Sequence, residues 1–258
     1  MNELFLKAIA KRLLESTMQL FLIGILNVQV STFAQSPKHI ALYQKFDFWP
    51  HFLTTIMSKK VISKKNNNTD NLGWSRYSEL FAKKRELDNK QQREEENQEE
   101  GKYLDVCSRF THAIYEGLDL RVEIMSVKKQ ELGDTVLLWD DDENTNNDNY
   151  SKILVGIGIC HCGAGSEAGS NTCYIKFGAV KPGPTAGNNF DKLLDACEAF
   201  AAEEGMSRIV AGVNTGRYEA YRKMLSRGFQ SDIVGIAMQR YNDSGYNKSG
   251  VYVIDDWR

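Results

Sequence analysis

The chain carries almost no net charge. Over 258 residues, 32 Lys and Arg stand against 34 Asp and Glu, for a formal charge of -2. Without a basic excess there is no global electrostatic reason to bind nucleic acid or an anionic membrane, and such a partner would need a local patch. A complete disulfide framework is excluded as well, because the five cysteines are an odd number. Cys107, Cys160, Cys162, Cys173 and Cys197 in so long a chain point to a reducing compartment, and the protein is read as cytoplasmic. An uninterrupted apolar run of membrane-spanning length is also missing. Residues 17–36, TMQLFLIGILNVQVSTFAQS, follow Lys7, Lys11 and Arg12 and so imitate an export signal. Glu3 and Glu15 dilute that basic start, while Gln19, Asn27 and Gln29 interrupt the apolar middle, which leaves export as the lesser alternative.

What is present is an ordinary folding composition, 42% hydrophobic and 26% charged, enough for one large domain or two small ones. Leu6, Ile9, Ala10, Leu13 and Leu14 form one helical stripe. LFLIGILNVQV then reads as a buried strand, SPKHIALYQKF as a helix and WPHFLTTIM as a strand. From Ser58 to Lys102 the pattern is lost: SKKNNNTDN is a linker, and KKRELDNKQQREEENQEEGK a solvated helix or disordered insertion of mixed sign. Two helical stretches follow, DVCSRFTHAIYEG and LRVEIMSVKKQEL, and then TVLLWD, KILVGIGICHC and TCYIKFGAV as an antiparallel meander. Phe190, Leu193, Leu194, Cys197, Phe200 and Ala201 mark the next helix, with Asn188 or Asn189 as its cap, Asp191 in its first turn and Gly205 after its end. SRIVAGVN is a strand, TGRYEAYRKMLSRGF a helix closed by Gly228, and VGIAMQR and VYVIDDWR the last strands.

The densest motif, CHCGAGSEAGSNTC at 160–173, invites a metal or phosphate reading. Alternation in a strand puts Cys160 and Cys162 on one sheet face and His161 on the other, and cross-strand pairing could bring Cys173 near either thiol. The spacing lacks the paired ligands of a zinc finger, and no helix start follows the glycines. The expectation is a turning hairpin and no metal.

HIALYQKFDF at 39–48 aligns with AYRKMLSRGF at 220–229, matching Ile40 to Tyr221, Tyr43 to Met224 and Phe48 to Phe229, which suggests an internal repeat. The element order, together with L-Y-x-K-x-x-F at 42–48, resembles the GNAT superfamily of acetyltransferases. The segments GDTVLLWD, CHCGAGSEAGS, KFGAVKPGP, LLDACEAFA, AGVN and VYVIDDWR resemble the C-terminal part of bacterial and archaeal tandem members. The resemblance implies an α/β (α+β) fold with a mixed, mostly antiparallel sheet flanked by helices and preceded by a partial second copy. Residues 1–57 would be a half-domain running from third helix to sixth strand, 58–71 a linker, and 72–258 a GNAT-like domain with its insertion at about 83–102.

In that superfamily the sheet splays between its fourth and fifth strands and acetyl-coenzyme A enters the gap. The implied function is therefore acetyl transfer from acetyl-coenzyme A to an amine by direct attack. The acceptor is a small molecule or peptide, and neither nucleic acid nor membrane is involved. VKPGPTAGNNF occupies the pyrophosphate loop, so the resemblance assigns Val180, Gly183, Thr185, Ala186, Gly187, Asn188, Asn189 and Asn214 to the cofactor, with backbone N–H groups near Val180 polarising the thioester. The loop lacks the Arg or Gln and most of the close-approach glycines of the family pattern, Thr185 standing where the Arg or Gln is usual. The general-acid tyrosine is replaced by Met224, which leaves Tyr221, one turn earlier, as substitute acid. Glu167 or His161 is the candidate base. These departures equally allow a catalytically degenerate fold used for ligand sensing or dimerisation. The apolar strand of the half-domain would expose an edge unless it pairs, which predicts an intimate interface such as a homodimer; a gene that has lost its start explains the half-domain as well.

Overall fold

The computed structural model describes residues 11–18, 29–62, 73–80, 90–141, 152–240 and 243–255. They fall into two compact units, one drawn from 1–54 and 234–245, the other from 55–233 and 246–256. The first helix (α1) is described over 11–18, and strand β1 over Gln29–Phe33; most of the apolar segment at 20–28 lies outside the described residues.

In the smaller unit, helix α2 (Pro37–Gln44) begins with proline, whose missing N–H costs nothing in a first turn. It leads into strand β2 (Phe48–Lys60). Strand β1 pairs antiparallel with β8 (Gln230–Arg240), from Gln29 opposite Gln239 to Phe33 opposite Gly235. Met18, Phe48 and Met238 form a small core on which Val30, Ile40 and Tyr43 pack.

The larger unit contains strand β3 (Trp74–Arg76), helices α3 (Lys90–Ile114) and α4 (Arg121–Lys129), and strands β4 (Gly133–Asp141), β5 (Lys152–Cys162) and β6 (Thr172–Val180). Helix α5 (Ala186–Glu203), strand β7 (Arg208–Asn214), helix α6 (Tyr218–Ser226) and strand β9 (Val253–Asp255) complete it. Its strands lie in the order β3-β4-β5-β6-β7 with β2 beside β7, and β9 joins β6 off this path. β3 to β6 are antiparallel, as the meander pattern predicts, and β6 and β7 are parallel because α5 crosses between them. One core lies under α5 and α6, built from Phe190, Leu193, Cys197 and Met224; the other lies under α3 and α4, built from Leu104, Phe110, Ile124 and Val127. The charged insertion is helical from Lys90, because it runs directly into the apolar stripe of α3.

Two details of α5 differ from expectation. The helix begins at Ala186, behind Thr185, so Asn188 and Asn189 lie inside it and Asp191 is past its first turn. Asn189 is buried, its backbone N–H bonding back to Thr185 O at 2.9 Å and its Nδ2 to Thr185 Oγ1 at 3.3 Å. Gly228 does end α6 as expected: it takes φ +86°, and the Phe229 N–H returns to Met224 O at 3.1 Å.

Candidate functional site

The site is set by one extra residue in β6. Phe177 faces Ile159 on β5, but Ile175 faces the very next residue, Cys160, so Lys176 is a bulge. A bulge bends its strand and sharpens its twist. The consequence is visible on the other edge of β6, where pairing with β7 runs from Thr172 opposite Arg208 to Ile175 opposite Ala211 and stops. The side chains register the same break: Ile175 packs under α5 and α6, while Phe177, two residues on, packs under α3 and α4.

Beyond the bulge, β6 and β7 diverge, and β9 fills the space beside β6. Phe177, Gly178 and Ala179 pair antiparallel with Asp255, Ile254 and Val253, and the Val180 N–H donates to Tyr252 O at 3.2 Å. Val253 is fully buried under α3 and α4, and Ile254 fully buried under α5 and α6, so β9 alternates as an interior strand does. Gly178 permits the approach, since a Cβ there would lie 3.3 Å from the Ile254 side chain.

Arg217 fastens this strand. It sits at the entrance of α6 with 1% of its surface exposed, donates from Nη1 to Val253 O at 2.8 Å, and pairs through Nη2 with the Asp255 carboxylate. The Tyr246 hydroxyl donates to the other oxygen of Asp255, and the Arg217 guanidinium lies 5.5 Å from the Tyr246 ring centre. Burial, and then the Asp255 carboxylate, hold the Tyr246 hydroxyl protonated well above its ordinary range. A buried guanidinium is tolerated only where it is paired and hydrogen-bonded, and both partners here belong to β9.

The expected cofactor positions can be placed against this frame. The Val180 N–H donates to Tyr252 O at 3.2 Å. Gly183 takes φ +146° and its carbonyl accepts from the Ala186 N–H at 3.1 Å, while Thr185 and Asn188 are exposed. Gly187 faces Tyr252 and Lys223: a Cβ on it would come within 3.0 Å of the Tyr252 hydroxyl. Lys223 itself pairs with Asp191 at 2.5 Å. Asn214 Oδ1 accepts from the Gly216 N–H at 2.9 Å, closing the turn into α6.

The two expected catalytic residues have different surroundings. Tyr221 packs, half-buried, on the core under α5 and α6. Glu167 lies on the hairpin between β5 and β6 and bonds Lys176 at 2.6 Å, and Lys176 in turn reaches Glu123 of α4 on the opposite side of the sheet. His161 is 2% exposed, 3.6 Å from Glu123 and edge-on to Tyr174; burial, and then Lys176, hold its pKa below the usual value. A group so enclosed has no path to an incoming amine. Arg217, Tyr246, Tyr252 and Asp255, the residues that close the gap, were missed. Their only signal was a charged residue at each end of otherwise ordinary elements.

No protein-family model and no curated protein matches the chain. Among solved structures, a protein of Pyrococcus horikoshii provisionally classed as an acetyltransferase aligns with TM-score 0.53 at 11% identity, covering 96% of this chain and 64% of that one. The chain shares the fold of that structure. A GCN5-related N-acetyltransferase from Sphaerobacter thermophilus aligns at TM-score 0.48 and 14% identity, covering 83% of this chain and 59% of its own. A GNAT-family acetyltransferase from Colwellia psychrerythraea aligns at 0.46 and 13%, covering 83% and 64%. The chain thus spans about three-fifths of the length of these structures. Past the Lys176 bulge, then, the edge of β6 is paired with β9, and in the first turn of α5 Gly187 faces Tyr252.

Proposed function

We infer that this chain is a GNAT fold that no longer transfers acetyl groups and serves as a ligand-sensing module, its own C-terminal strand standing where acetyl-coenzyme A would lie. The observation that carries this reading is the pairing of Phe177, Gly178 and Ala179 with β9. Magnitudes favour it. Removing β9 would expose two fully buried aliphatic side chains and strand a buried guanidinium, together about 6–11 kcal/mol. Micromolar binding supplies only about 8 kcal/mol, so a cofactor that had to evict β9 would bind with a dissociation constant of about tens of millimolar or not at all.

Room for a ligand exists elsewhere in the larger unit. A cavity of about 1150 Å³ lies along β3 and β4, with Trp74, Tyr103 and Trp139 as apolar walls and Arg109, Lys152 and Lys181 at its margin. Aromatic faces beside cations suit a planar molecule carrying negative charge.

Calorimetric titration of the full chain with acetyl-coenzyme A, paired with a thermal-shift measurement, tests the reading. No heat and no shift are expected. Saturable micromolar binding would overturn it in favour of the second reading, acetyl transfer to an amine. That reading draws on the Lys176 bulge and the intact strand-loop-helix passage into α5, and a Tyr221→Phe variant assayed with an acceptor panel would then follow.

A further inference from the structure

The glycine-rich motif brings four of the five cysteines together. Cys160, Cys173 and Cys197 are fully buried in the core under α5 and α6, and Cys162 packs on the same core while keeping partial exposure. The Cys197 sulfur comes from α5 to lie over Gly158, where a Cβ would meet it at 2.7 Å. All are free thiols. Among the described residues no set of three His, Cys, Asp or Glu is arranged to hold a metal, so the cluster calls for another chemistry.

Register supplies it. Cys162 and Cys173 stand directly opposite each other in the antiparallel β5–β6 pair. The next rung is closed by the Gly163 N–H to Thr172 O at 3.1 Å, while the Cys162 N–H points the other way, to Leu132 O at 2.7 Å. Cys162 and Cys173 are therefore a non-hydrogen-bonded pair, the kind whose Cα atoms approach to about 4.5 Å. That separation lies inside the range of about 4.4–6.8 Å that a disulfide bridges without moving the backbone.

We propose that Cys162 and Cys173 are a reversible redox pair that closes to a cross-strand disulfide on exposure to a peroxide. Cys162 is the entry point because it alone of the four is reached by solvent. The neighbouring Cys173 sulfur holds the Cys162 thiol protonated, so Cys162 passes its proton to the Cys173 thiolate as its own sulfur attacks the peroxide; the O–O bond breaks, the departing hydroxide takes that proton and leaves as water, and a sulfenic acid remains on Cys162. The Cys173 sulfur displaces the hydroxyl from that sulfenic acid, forming the S–S bond and releasing a second water. The two sulfurs together lose two electrons, and the Cys162 thiol proton and one proton from solvent end on the departing waters. The Cys160 and then the Cys162 thiols beside it hold the Cys173 pKa down to about 5, which favours the thiolate on Cys173 that makes the second attack. This chemistry is independent of whether acetyl-coenzyme A binds.

The test treats the full native chain with one equivalent of hydrogen peroxide, blocks remaining thiols, digests, and maps cross-linked peptides by mass spectrometry. The expected result is a Cys162–Cys173 linked peptide that disappears after reduction, persists in Cys107→Ser, and is absent in Cys162→Ser. Cys162→Ser lies at the partly exposed position and is expected to fold even if a Cys173→Ser variant does not. Retention of five free thiols in peroxide-treated wild type would overturn the proposal, and so would a bridge that uses Cys160 in place of Cys162.

Discussion

Asp255→Asn is the sharpest perturbation of the closed gap, because it removes one charge and almost no volume. Arg217, with 1% of its surface exposed, would keep its hydrogen bond to Val253 O and its contact with Tyr246 but lose its counter-ion. Stripping the partner from a buried ion pair costs about 3–5 kcal/mol. Asp255 is 19% exposed and Asn can still accept a hydrogen bond, so the cost falls to the bottom of that range or just below it, about 2–3 kcal/mol. For a cooperative unit of this size, each kcal/mol moves the thermal midpoint by about 2–4 °C, which gives a fall of roughly 4–12 °C. Urea unfolding followed by fluorescence and circular dichroism would report the loss as a lowered midpoint at unchanged slope. Arg217→Met combined with Asp255→Leu, which replaces the pair by apolar groups of similar reach, should recover most of the stability. An Asp255→Asn protein within about 0.5 kcal/mol of wild type would show that β9 is not fastened as described.

Gly133→Ala should be far more damaging, by more than about 3 kcal/mol or through failure to accumulate, since Gly133 takes φ +148° and a Cβ there would lie 2.1 Å from Cys160 O; a soluble variant of normal midpoint would contradict the β4–β5 register. The buried imidazole of His161 is held below its ordinary pKa, so the unfolded chain binds the extra proton first as pH falls below about 6.5. By linkage, stability should drop below that pH and recover above it, and the slope should flatten in His161→Gln when midpoints are compared from pH 5 to 8. Burial pushes the Cys107 thiol up to about 12, so iodoacetamide at pH 8 should leave it unmodified in the native chain and label it once urea is added.

The elements legible in the sequence were those whose periodicity matched their burial. TCYIKFGAV is β6 residue for residue, and the stripe from Phe190 to Ala201 is the buried face of α5. His161 and the two flanking thiols do part to opposite faces, because a strand alternates. The start of α5 was misread because an asparagine is as good a cap as a threonine on paper, while the chain itself turns at Gly183 and begins the helix three residues later. The closed gap was illegible for a different reason. Antiparallel pairing of VID with FGA depends on a bulge at Lys176, and a bulge has no periodic signature that separates it from an ordinary lysine in a strand.

Backbone accounting explains why β9 goes where it does. A strand that curves away from its neighbour leaves N–H and C=O groups that cannot remain unpaired in an interior. In the larger unit the far edge of β7 is already met by β2, whose continuation bonds through the Val61 N–H to Ser207 O at 3.0 Å. The last strand of the chain therefore finds no vacancy beside β7, and the free edge left to it is β6 past the bulge. Here the satisfying amides are covalently attached, at an effective concentration that no soluble ligand matches, and a buried arginine is committed to keeping them in place. The bulge at Lys176 frees the edge of β6 on which β9 pairs.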